Sequence, residues 1–85
     1  MKVILYTISE CPYCNMAREF LEDRGVEYVE QDILESEKIA RELIQKTGQV
    51  EVPVLDIDGI VISGFRELEI DRVLSNKALG GVVRG

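Results

Sequence analysis

Val3, Ile4, Leu5, Tyr6, Thr7 and Ile8 form an apolar, β-branched and aromatic run with little alternation. Such a run predicts a strand buried on both faces, near the middle of a sheet. Pro12 stands where a helix can begin, because a first helical residue needs no N–H. Tyr13, Met16, Ala17, Phe20 and Leu21 then recur at helical spacing, with Asn15, Arg18, Glu19, Glu22 and Asp23 on the other face. Gly25 supplies a left-handed stop, placing the first helix at about Pro12 to Arg24.

From Val26 to Gln31, Val26 and Tyr28 alternate with Glu27 and Glu30, a second strand with one wetter face. Candidate caps lie between Asp32 and Ser36. Ile39, Ala40, Leu43 and Ile44 give a second amphipathic helix, closed by Gly48. Two short apolar runs, Val54–Ile57 and Ile60–Ile62, flank the pair Asp58-Gly59, a strong hairpin signal. Leu68, Ile70, Val73 and Leu74 mark a third helix starting near Arg66.

The order β–α–β–α–β–β–α predicts an α/β fold: a right-handed parallel βαβ unit, an antiparallel hairpin and a closing helix. The sheet is mixed and four-stranded, flanked by three helices. The chain reads as one domain without repeats or linkers, ending in a Gly-containing tail at residues 80–85.

Sixteen acidic against ten basic residues leave a net charge of −6. That speaks against nucleic acid, which needs a basic face, and against an anionic membrane surface. The apolar run at Val3–Ile8 is far short of the ~20 residues a spanning helix needs. Met1 and Lys2 lead straight into strand residues rather than a signal-peptide pattern, so the expected location is cytoplasmic. With no histidine, nucleophile schemes that need one are excluded.

The chain has two cysteines, and the segment Cys11-Pro12-Tyr13-Cys14 sits where the first strand hands over to the first helix. Cys11 falls at the helix N-cap, where N–H groups and the helix dipole favour thiolate over thiol. In such motifs the pKa falls from ~8.5 to between about 3.5 and 7.5, and only the thiolate attacks a disulfide. Cys14 aligns with Ala17 and Leu21 on the apolar face and is expected to be the more buried. Position therefore assigns attack to Cys11 and resolution to Cys14. Three other readings compete: a structural disulfide, half of a zinc or iron–sulfur site shared across a dimer, and two inert buried thiols. A bridge closing so short a loop adds only about 2 kcal/mol on a loop-entropy estimate.

The CPYC run after a first strand, the Val52-Pro53 pair before the hairpin and the Gly64 turn into the last helix resemble glutaredoxin. The resemblance spans roughly residues 1–79. It implies a thioredoxin-like fold and a monomeric enzyme that reduces protein or small-molecule disulfides by dithiol exchange. It implies no bound cofactor, with glutathione as a co-substrate. Pro53 is implied to be cis beside the cysteines. Pro12, Tyr13, Val52, Pro53, Gly64 and Phe65 then form the surface that receives the substrate or thiol, the Val52 backbone pairing with a bound peptide. Residues alone would make Pro53 a trans residue opening a strand.

The sequence also departs from the glutaredoxin pattern. Thr7, Ile8, Ser9 and Glu10 precede Cys11 without a basic residue, and Glu51 stands where a Thr is usual. The last motif reads Ser63, Gly64, Phe65, Arg66 and Glu67, so the Asp that would receive the glutathione amino group is replaced by a base or displaced. This run looks more like glutaredoxin-like donors that thioredoxin reductase reduces and that serve ribonucleotide reductase. Tyr13 and Phe65 are then exposed partner contacts, unless Phe65 packs over the third helix. Arg66 either offsets Glu10 near the sulfur or is merely solvated. Lys38, Arg41 and Glu42 are expected on solvated faces. The rival function is a dimeric iron–sulfur or metal-binding redoxin with Cys11 as ligand, a further thiol completing the set.

Overall fold

In a computed structural model, which describes residues 1–79, the element order is the one the sequence predicts. The strands are β1 (Val3–Thr7), β2 (Val29–Asp32), β3 (Val54–Ile57) and β4 (Ile60–Ser63), and the helices are α1 (Pro12–Asp23), α2 (Glu37–Thr47) and α3 (Glu67–Leu79). The sheet runs β2-β1-β3-β4, with β1 parallel to β2 and antiparallel to β3. Val3, Leu5, Tyr6 and Thr7 are all buried, as a central strand requires. The expected tail at residues 80–85 lies outside the described residues.

Side chains alternate across β1 and sort the core into two layers. Val3 and Leu5 join Ala17, Phe20 and Leu21 of α1 with Ile70 and Leu74 of α3. Tyr6 faces the other way, with Ile33, Val54 and Leu43 of α2. Helices α1 and α3 therefore cover one face and α2 the other. Local signals set the boundaries. Ser36 caps α2 by accepting the Lys38 N–H, and Gly48 ends it at φ 80°. Asp58 and Gly59 both take positive φ (50° and 91°), the geometry of a tight two-residue hairpin.

Three expectations need correction. The second strand starts at Val29 rather than Val26, because the Val26 N–H donates to the Leu21 carbonyl and keeps that residue in the helix exit. Val26 and Tyr28 still pack on the core, but off the ladder. Ile44 and Leu68, read among the apolar positions that mark α2 and α3, are exposed. Glu42, read as solvated, is half-buried and accepts a 3.4 Å bond from the Tyr6 hydroxyl. By contrast Arg41 pairs with Glu37 at 3.5 Å on an exposed helix face, as its spacing suggests.

The registry brings three chain segments to one end of the sheet. Tyr6 pairs with Val54, and Val54 with Ser63. The residues after β1, those before β3 and those after β4 therefore emerge together. They carry Cys11, Val52-Pro53 and Gly64-Phe65.

Candidate active site

Cys11 is the N-cap of α1. Its backbone is extended (φ −115°, ψ 109°), and its carbonyl accepts the Asn15 N–H at 3.0 Å, the first helical bond. Pro12 fills the first helical position, where its missing N–H costs no bond. The Cys11 Sγ accepts the backbone N–H of Cys14 at 3.2 Å, so a helix donor faces the sulfur. Glu10, immediately before, is a non-glycine residue in the left-handed region at φ 57°. It turns the chain from the strand into the helix.

Cys11 and Cys14 are joined as a disulfide with Cα atoms 5.1 Å apart. Cys14 is fully buried and Cys11 half-buried, as their places on the helix predict. Of the two residues, Cys11 is the more exposed.

The Val52–Pro53 peptide bond is cis, as the resemblance implied and the residues alone did not. Pro53 is buried, and Val52 packs half-buried against the α2-side core. The Gly64 N–H donates to the Pro53 carbonyl at 2.8 Å, tying the turn after β4 to the segment before β3. Pro12 is exposed, and Tyr13 is 62% exposed. Phe65 is half-buried. It meets Phe20 of α1 edge-on, with centroids 5.7 Å apart, and packs against the core that α1 and α3 share. Arg66 lies 3.7 Å from Glu69 one turn along and does not reach back to Glu10 as an ion pair.

A polar brace beside the site was not anticipated. Arg18 of α1 grips Glu30 of β2 with Nε at 2.9 Å and Nη2 at 2.6 Å, and Thr7 donates to the same carboxylate at 2.8 Å. Arg18 also donates to Asn15. The Arg18 guanidinium holds Glu30 below the usual carboxylate range, against the opposing effect of burial. The brace ties α1 at Arg18 to β2, the strand that β1 pairs with. No periodicity signals a pair joined across a strand–helix–strand unit. Among the described residues, no cluster of three or more potential metal-ligating side chains occurs.

A family model described as Glutaredoxin matches residues 3–62. A glutaredoxin-like 8.6 kDa protein encoded in the rubredoxin operon of Clostridium pasteurianum is 31% identical over 70 residues, covering 82% of this chain and 93% of that protein. Glutaredoxin 3 of Escherichia coli is 35% identical over 66 residues, covering 78% of this chain and 80% of the other. Among solved structures, the glutaredoxin-like NrdH-redoxin of Escherichia coli superposes with a TM-score of 0.75 at 26% identity, covering 86% of this chain and 95% of that one.

Proposed function

Because the chain belongs to the glutaredoxin family of thiol–disulfide oxidoreductases, we propose that Cys11 attacks the substrate disulfide and Cys14 resolves it. The observation that carries this reading is the asymmetry of the pair. One sulfur is accessible at a helix N-cap and accepts a backbone N–H; the other is buried one turn along.

In the reduced protein the Cys11 thiolate attacks one sulfur of the substrate disulfide and expels the other as a thiolate. A mixed disulfide joins Cys11 to the substrate. The Cys14 thiol gives up its proton and attacks the Cys11 Sγ. This forms the Cys11–Cys14 disulfide and releases the second substrate thiolate. Two electrons have passed to the substrate, and protons from Cys14 and solvent complete its two thiols. The Pro12, Tyr13, Val52, Pro53, Gly64 and Phe65 surface would receive the substrate, with the Val52 backbone pairing to an extended peptide.

For the reductant we favour thioredoxin reductase over glutathione. Glu10 adjoins the nucleophile in sequence, Glu51 stands where a Thr is usual, and the acid that would receive a glutathione amino group is replaced by Arg66 or displaced to Glu67. The NrdH-redoxin similar to this chain is described as having a thioredoxin-like activity profile. A coupled NADPH assay on hydroxyethyl disulfide tests this, with thioredoxin reductase in one arm and glutathione with its reductase in the other. Turnover in the first arm alone supports the reading. Turnover only in the second makes glutathione the donor.

A further inference from the structure

An open groove of about 280 Å³ runs between α1 and α3, away from the cysteines. Its apolar part is small: exposed Met16 from α1 and half-buried Phe65 at the approach to α3, with Phe20 buried beneath the Arg24 guanidinium and polar groups making up most of the lining. Tyr13, Met16 and Phe20 follow one another at helical spacing, so the row starts between the two cysteines. The far end is closed, because the Arg24 guanidinium sits 3.5 Å from the Phe20 ring centroid and pairs with Asp71 at 3.2 Å. The near end is open, with Tyr13 and Met16 both exposed.

The walls carry Glu19 and Asp23 from α1 and Glu67 from α3. Among the described residues none of the three forms an ion pair. The one basic residue lining the groove, Arg24, is already paired with Asp71. Unpaired carboxylates around exposed Met16 and the edge of Phe65 suit a segment with a cationic side chain and one apolar neighbour.

We propose that this groove docks the polypeptide flanking the target disulfide, in substrates with an apolar residue and a lysine or arginine close to the attacked cysteine. The inference rests on the dithiol-exchange reading and adds a substrate class to it. Met16 and Glu19 lie about 8 and 12 Å along the helix axis from Cys11, at about 1.5 Å per residue. An extended peptide covers about 3.3 Å per residue, so the recognised side chains lie two to four residues from its cysteine.

The test uses the pre-reduced full chain in single-turnover reactions, which removes any dependence on the reductant. The probes are peptides with one cysteine blocked as a mixed disulfide with 2-mercaptoethanol. They differ only in whether Lys-Leu or Glu-Leu occupies the third and fourth positions from that cysteine. The Lys peptide should react about three- to fivefold faster at low salt, the scale of one or two surface ion pairs, with the ratio shrinking at high salt. Glu19→Lys should bring the ratio to one or below. Glu27→Lys, exposed and outside the groove, changes net charge equally and should leave the ratio in place. Equal rates for the two peptides, or an equal drop in Glu27→Lys, would overturn the groove assignment. Failure to reduce hydroxyethyl disulfide as well would instead overturn dithiol exchange itself, and the groove with it.

Discussion

The Gly64 N–H lies 2.8 Å from the Pro53 carbonyl, and this bond joins the two segments that sit on either side of the β3–β4 hairpin. It requires Gly64 to hold φ +84°. A Cβ there would meet only the Arg66 Cγ, at 3.9 Å, so space is available and the backbone sets the cost. Gly64→Ala should therefore destabilise the fold by about 1 kcal/mol, with Gly64→Asn losing less because Asn tolerates the left-handed region. Urea midpoints for the two variants check the order. An alanine variant as stable as the parent would show that the turn relaxes without loss.

Lys46 ties α2 to the sheet. Its Nζ lies 2.7 Å from Asp56 Oδ2 and donates to the Tyr6 hydroxyl at 2.6 Å, while Asp56 Oδ1 accepts the Gly59 N–H. Lys46→Met keeps the apolar stem and removes the ammonium, leaving a buried carboxylate with one backbone donor. We expect a loss of about 2 kcal/mol, below the figure for a fully buried pair because both side chains retain some exposure. Asp56→Asn in the Lys46→Met background should recover part of it. Additive losses in the double-mutant cycle would contradict a direct pairing.

Cys14→Ser removes the resolving thiol and leaves the Cys11 sulfur accessible. Reacted with a peptide disulfide, this variant should accumulate a one-to-one mixed disulfide, visible as an intact-mass increase. Cys11→Ser should form none and lose disulfide reduction altogether. A stable adduct on Cys14 in the Cys11→Ser protein would reverse the roles.

What the chain's pattern made legible is what depends on near neighbours. The helix spacing of Cys14, Ala17 and Leu21 foretold which cysteine is buried, and Asp58-Gly59 foretold the hairpin. Glycine stops fixed where α1 and α2 end. Pro53 required the family resemblance, because no local preference distinguishes a cis proline from a strand-opening trans one. Leu68 and Ile44 misled because an apolar residue at helical spacing need not face the core when the stripe is wide. The pairs Arg18–Glu30 and Lys46–Asp56 were invisible for a different reason. Each links residues brought together only by sheet registry, which charge spacing along the chain does not encode.

The acid response follows from those two pairs. Arg18 holds Glu30 low, and burial only partly opposes it. For Asp56 burial pushes the carboxyl up, but the bonds from Lys46 and Gly59 outweigh it and its pKa falls below the ordinary value. Both groups bind protons more weakly folded than unfolded. The unfolded chain therefore takes up more protons on acidification, and stability falls with pH. Their contribution is complete above the unfolded values near ~4 and disappears as pH drops through the lower folded values. Urea midpoints for the parent and Glu30→Gln should differ at pH 7 and converge toward pH 3. A gap that stays constant across that range would mean Glu30 contributes packing rather than charge.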